Sequence, residues 1–240
     1  MSFLSRVPGP AWPLAAPADD GPGNPWFSWS YVSENAEPLL SRLQEHASLT
    51  ARAVLIAVVV AIPLAVLAYW IKPLTGPILA LSGILYTIPS LALLAVLAPV
   101  VGATTDTPVL IALVVYALLT LVRNTLAGLT QVSGEVKDAA LGMGYGRFGR
   151  LWRVELPLAL PGIITGLRLA TVSTVALATV GGIIGQGGLG DLILGGFRNN
   201  FYKAEIVTGS LMCVALALVL DLALLAVGRM LMPWMRTRAA

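Results

Sequence analysis

Few residues in this chain could do chemistry, and they exclude more than they allow. His46 is the only histidine and Cys213 the only cysteine. A paired-imidazole site, an intrachain disulfide and a multi-thiolate metal centre are therefore ruled out, and no metal is expected. No Gly-x-x-x-x-Gly-Lys-Ser/Thr string occurs, so this sequence offers no such phosphate loop for ATP hydrolysis. Gly185-x-Gly187-x-x-Gly190 matches the dinucleotide fingerprint as a string, but a long apolar run precedes it where that fold needs a strand. Its glycines read instead as a tight turn with close helix approach. Arg168 and Asp221 each interrupt an apolar run. A charge facing lipid at mid-membrane costs roughly 2.5–3.5 kcal/mol on insertion scales, so both are expected to pair or to line a pathway. Tyr86 and Tyr116 also lie well inside apolar runs, where a ring face can meet a cation in transit. Tyr69 and Trp70, at the end of a run, read as interfacial anchors. His46 reads as an anchor or packing residue, and Cys213 as a small apolar filler. No catalytic residue emerges.

The elements that must carry these residues are membrane spans. Of 240 residues, 57% are hydrophobic and only 11% charged. The mean hydropathy is +0.84. A soluble domain carries about 25% charged residues, so this composition excludes one, along with a disordered chain and a nucleic-acid module. Gaps between charges place five spans, at Ala53–Ile71, Ile78–Pro99, Val109–Leu126, Leu158–Val180 and Glu205–Met230. Residues 1–30 are dense in proline and read as an extracytoplasmic tail. Residues 31–50, following the Trp26–Tyr31 aromatic cluster, read as an interfacial helix, with a small extramembrane helix packed on the bundle as the alternative. The transmembrane domain covers 51–230, with a polar loop at 128–156 and a short tail at 231–240. Leu189–Phe197 is too short to cross and reads as a re-entrant or surface piece.

Charge then orients the bundle. One side holds Lys72, Arg123, Lys137, Arg147, Arg150, Arg153, Arg229, Arg236 and Arg238, and the other Arg6, Arg42, Arg198 and Lys203. The first side is cytoplasmic by the positive-inside rule, so the N-terminus faces out and the C-terminus in. The 128–156 loop is then cytoplasmic. Ser133 caps a short helix that Gly142, Gly144 and Gly146 break, and a second short helix is expected from Arg147. Phe148, Leu151 and Trp152 would share one apolar face, opposite a basic stripe of Arg147, Arg150 and Arg153. Such a lug either rests on lipid phosphates or docks on a soluble partner.

Asp138-Ala139-Ala140-Leu141-Gly142-Met143-Gly144, then nine residues, then Val154-Glu155-Leu156-Pro157, resembles the EAA motif of ABC importer permeases. That motif runs Glu-Ala-Ala, three residues, Gly, nine residues, Ile-x-Leu-Pro. Asp138 stands in place of the usual Glu and Val154 in place of Ile. Tyr86-Thr87-Ile88-Pro89-Ser90, Val122-Arg123-Asn124-Thr125 and Gly185-Gln186-Gly187-Gly188-Leu189-Gly190 further resemble the glycine betaine/choline/proline osmoprotectant branch, over about residues 35 to 230. The resemblance implies an all-α, polytopic type I (MetI-like) permease bundle of about five transmembrane helices in the cell membrane. It implies that Asp138, Ala139, Ala140, Gly144, Leu156 and Pro157 couple to a cytoplasmic ATPase dimer, which holds the ATP and Mg while this chain binds no cofactor. It further implies a second permease subunit, identical or homologous, surrounding lipid and a separate extracytoplasmic solute-binding protein. Transport would proceed by alternating access with no reaction catalysed here. The permease of an amino-acid or other metabolite importer is the alternative cargo reading, and a membrane assembly protein the alternative class.

Topology is directly testable. With Cys213→Ala removing the native thiol, a cysteine at Ser28 should react with an impermeant thiol reagent in intact cells, and one at Thr237 should react only after permeabilisation. Labelling of the Thr237 position alone in intact cells would invert the orientation.

Overall fold

The computed structural model describes residues 24–102 and 104–234, and among them every regular element is helical. The proline-rich expectation for residues 1–23 and the tail beyond 234 lie outside the described residues. A short α1, Trp29–Glu34, leads into α2, Ala36–Trp70. Next come α3, Lys72–Thr87, and α4, Ser90–Val101, which meet at a 90° bend. Helix α5 is Thr107–Gln131, α6 is Gly134–Gly142 and α7 is Arg147–Arg150. A π turn, Leu151–Glu155, joins α7 to α8, Leu156–Ala178. A 3₁₀ turn, Thr179–Ile184, then α9, Leu189–Arg198, and α10, Lys203–Leu231, complete the chain.

Four helical stretches are long and apolar enough to cross a membrane, and the bent pair α3–α4 makes a fifth. Packing requires that fifth crossing. Arg52 of α2 pairs with Asp106 at the start of α5, while Val66, Tyr69 and Trp70 at the other end of α2 pack with Leu129 near the end of α5. The two helices are parallel, so α3 and α4 together must carry the chain back across. Arg52 belongs with the less basic side and was missing from its four positives; with it the division is nine to five.

The core is built for close approach. Ala53, Ala57, Ala61, Ala65 and Ala68 form a fully buried stripe along α2, repeating at the three- and four-residue spacing of one helix face. Most of them pack with Ala117, Leu121, Val122 and Leu126 of α5. On the other side of α5, a Cβ added to Gly128 would lie 2.7 Å from the Ala159 carbonyl oxygen of α8, and one on Gly162 only 3.0 Å from the Gly128 Cα. Small residues supply helix association where lipid offers no hydrophobic driving force.

Two expectations change. The 31–50 segment is not a separate interfacial helix, because α2 continues unbroken from Ala36 to Trp70. Arg42 and His46 in it find partners in later elements, at Asp191, Gly187 and Val175, so their polarity marks contact with protein. Nor is the second loop helix separate from span four, since helical backbone runs from Arg147 to Ile184. The π turn carries more residues per turn than an α-helix, so the expected shared face splits. Leu151 is buried while Phe148 and Trp152 are exposed. The 189–198 segment is a surface helix lying on α10 and the 3₁₀ turn, as its length requires.

Gly128→Ala should lower the stability of the detergent-extracted protein by about 1–3 kcal/mol, the usual effect of overpacking a tight contact. Gly83→Ala, whose added Cβ meets nothing within 4 Å, should leave it unchanged. Equal melting temperatures for the two variants would show that the α5–α8 seam does not set stability.

Candidate functional site

The loop between α5 and α8 is shaped by its own sequence. The Ser133 hydroxyl accepts from Val136 N–H and opens α6, with Glu135 in the favourable first turn. At the other end Gly144 N–H donates to Leu141 O (2.9 Å) and Tyr145 N–H to Ala140 O (3.1 Å). These are the two bonds of a Schellman cap, whose glycine takes a left-handed conformation. Gly144 has φ +81°, and its missing Cβ would meet nothing within 4 Å. Glycine is needed there for backbone freedom, not for space.

Of the motif residues, Asp138 and Ala139 are exposed on α6, Ala140 is buried, and Leu156 and Pro157 open α8. The loop is latched to the end of α2. Lys137 and Lys72 sit at 5.3 and 5.5 Å from the Tyr69 ring. Arg147 lies 4.4 Å from the Trp70 ring and donates to the Trp70 carbonyl, and Phe148 stacks edge-on against the same indole at 5.0 Å. Tyr69 and Trp70 thus hold the loop, a role their interfacial position concealed. Arg150 donates to Glu155 at 2.6 Å, and the Glu155 side chain is 1% exposed. Nothing in the sequence singles out Glu155, because its partner becomes visible only once the π turn is known. The positive stripe is therefore spent on rings and a carboxylate. Among exposed Asp138, Arg147 and Arg153, the surface also shows apolar side chains, with Met143 69%, Phe148 67% and Trp152 67% exposed beside Leu141.

Inside the bundle, Arg168 Nε and Nη2 donate to the two Asp221 carboxylate oxygens at 2.8 and 2.7 Å. This fork geometry joins α8 to α10. Tyr86, at the end of α3, stands edge-on to Tyr116 of α5 with ring centroids 6.0 Å apart. The Tyr116 hydroxyl donates to the Ile88 carbonyl in the α3–α4 bend.

The glycine loop between α8 and α9 is filled by its own chain. A Cβ on Gly187 would lie 2.1 Å from Gly182 N, and one on Gly190 would lie 2.2 Å from Thr179 O. No cradle for a pyrophosphate exists there. His46, fully buried, sets Nδ1 2.9 Å from Gly187 O and Nε2 3.0 Å from Val175 O. It packs three elements together rather than anchoring an interface. Asp191 accepts from Gly187 N–H (3.2 Å) and from Arg42 (3.0 Å). Burial pushes its carboxyl up to about 6, although the Gly187 N–H and the Arg42 guanidinium both pull downward. Among the described residues no group of three or more His, Cys, Asp or Glu could hold a metal, and none of these arrangements joins a nucleophile to a base.

If the fork between α8 and α10 holds the span together, Arg168→Ala and Asp221→Ala should each lower membrane-inserted yield. The double variant should lose less than the two single losses added. Strict additivity in a quantitative membrane-fraction assay would mean that the two charges act separately.

The match to known proteins covers most of the chain. Residues 53–237 match the family described as binding-protein-dependent transport system inner membrane component. The glycine betaine/carnitine/choline transport system permease protein OpuCD of Bacillus subtilis is similar at 35% identity, over 85% of this chain and 89% of that protein. The choline transport system permease protein OpuBB of the same organism is 36% identical over 85% and 93%. The osmoprotectant import permease protein OsmW of Salmonella typhimurium is 36% identical over 80% and 90%. Among solved structures, an inward-facing methionine ABC transporter chain superposes with a TM-score of 0.73 at 22% identity, covering 82% of this chain and 98% of that one, a likeness of fold alone. With that fold, five crossings and a loop of the expected spacing, the chain belongs to the binding-protein-dependent transport system inner membrane components, the permease subunits of ABC importers.

Proposed function

We propose that this subunit carries quaternary ammonium osmoprotectants of the glycine betaine, carnitine and choline type, delivered by a separate binding protein and driven by a cytoplasmic ATPase. The cargo reading rests on the relatives' names, at about a third identity over most of both chains. The coupling role rests on one structural observation. The capped loop at 134–150 shows Leu141, Met143, Phe148 and Trp152 to solvent at the more basic end of the bundle, after its arginines have been drawn to other partners. An apolar knob rimmed by polar residues marks a protein-interaction surface. Asp138, Ala139, Ala140 and Gly144 shape the knob, and Leu156 and Pro157 pass its displacement into α8. The ATP and Mg belong to the partner, which docks from the cytoplasm, and the binding protein meets the opposite end near Trp26 and Trp29. A second permease subunit completes the path. This chain contributes geometry and catalyses nothing.

Gly144→Val tests the coupling role, because a β-branched residue at φ +81° strains the cap without crowding any neighbour. In proteoliposomes with ATPase and binding protein, stimulated hydrolysis and solute uptake should fall together while membrane insertion is preserved. Asp138→Ala should be milder, since one exposed charge pair is worth only about 0.2–1 kcal/mol. Full stimulation and uptake by Gly144→Val would return the loop to the membrane surface.

A further inference from the structure

The α3–α4 bend is the one described place where a span is broken inside the membrane. Its depth follows from Tyr116, which donates to Ile88 in the bend and lies nine residues into α5, whose first residue is Thr107. At 1.5 Å per residue that is about 14 Å from the outer end, close to the middle of a hydrocarbon core about 30 Å thick. Two helix ends meet there. The last carbonyls of α3 have no intrahelical partner, and α4 begins at Pro89 without a side-chain cap. Thr87 turns its hydroxyl back to Ile84 O and leaves the following carbonyls to other partners. Hydrocarbon satisfies none of these groups, so a break at this depth must line water or protein. Tyr86, Thr87 and Pro89 are the exposed residues of the bend.

The same bend carries an aromatic face. Tyr86 is 47% exposed, whereas its edge-on neighbour Tyr116 is 6% exposed and tied to the bend by its hydroxyl. Tyr116 thus fixes where the Tyr86 ring stands. The carbonyl end of α3 adds the negative pole of a helix dipole beside that ring. A ring face plus a carbonyl end is what a quaternary ammonium group requires, since it has charge but no N–H to donate. The other described aromatics within the spans, Tyr69 and Trp70, are occupied by Lys72, Lys137 and Arg147.

We infer that the α3–α4 bend is a mid-membrane contact site for the onium group in transit, with Tyr86 as the ring that meets it and Tyr116 as the residue that positions that ring. This rests on the quaternary ammonium cargo proposed above. The site faces a wet path and not lipid, and one ring gives the weak, readily released contact that a pathway needs.

The test uses the assembled transporter in proteoliposomes with its ATPase and binding protein, and radiolabelled choline and glycine betaine as probes. Tyr86→Leu should lower maximal uptake of the transported compound about tenfold, within the range of a desolvated cation–π contact. The half-saturating concentration of loaded binding protein, the stimulated ATP hydrolysis and the inserted yield should stay as in the parent. Tyr86→Phe and Tyr86→Trp, which keep a ring, should restore uptake to within about twofold. Tyr116→Phe, which keeps its ring but frees the bend, should fall between. Parent-like uptake by Tyr86→Leu would overturn the site. So would equal losses in Leu, Phe and Trp variants, or a loss of uptake that merely follows lost insertion or hydrolysis. A parent transporter that moves neither compound would instead defeat the cargo reading, an outcome seen before any variant is made.

Discussion

A backbone inside a bilayer has no water to turn to, and each irregular feature of this molecule is tied to how that demand is met. Three interruptions of the helical ladder lie in or beside the bundle. At the α3–α4 bend, the Ile88 carbonyl takes the Tyr116 hydroxyl. At the outer end of α8 the helix tightens into a 3₁₀ turn, Thr179 N–H goes to Leu177 O, and His46 fills the place at Val175 O. At the inner end, the π turn places Glu155 where Arg150 can reach it. The two side chains that reach backbone carbonyls here, Tyr116 and His46, both come from a neighbouring helix. Satisfying the backbone therefore ties helices together as well.

Close packing follows from the same constraint. Helices that gain little from hiding apolar surface must gain from contact, and contact improves when the side chains shrink. The alanine stripe of α2 receives Leu121, Val122 and Leu126 of α5, and the glycines of the α5–α8 seam let those two backbones touch. The peripheral helices are different: only 11% of the apolar stretch of α10 is buried, and α3 and α4 expose Leu81, Ile84, Leu91, Val96 and Val100. Those apolar faces suit a hydrocarbon surrounding.

The sequence exposes what depends on long-range energy and hides what depends on local geometry. The spans are legible because charges at their ends are costly anywhere else. The Arg168–Asp221 fork is half-legible for the same reason: two intramembrane charges each need a partner, though the alternative of a pathway lining cannot be discarded from composition. The loop motif is legible from its spacing. The continuity of α2 is not, because Arg42 and His46 look like interfacial residues until Asp191 and Gly187, nearly 150 positions away in the chain, close on them. The π turn leaves no pattern at all; it shifts which of Phe148, Leu151 and Trp152 points inward, and it is the reason Glu155 is buried. Tyr69 and Trp70 are misread for a simpler reason, since an aromatic at a span end is suited to lipid headgroups and to a cationic loop alike.

Helix α8 is fastened at three depths. The Arg150–Glu155 pair holds its inner end to the loop, the Arg168–Asp221 fork holds its middle to α10, and His46 holds its outer end to α2. Because helical backbone runs from Arg147 to Ile184, a displacement of the loop reaches α8 without crossing a flexible segment. A helix held in this way moves with its neighbours or breaks a charged contact, and one-sided breakage of such a contact leaves an uncompensated charge. The α3–α4 pair carries no comparable ties; among the described residues its bend is held to α5 by one hydroxyl and an edge-on ring. Within the bundle, charged and backbone ties are therefore concentrated on the body of α2, α5, α8 and α10, and the bent pair is joined to that body mainly by apolar packing.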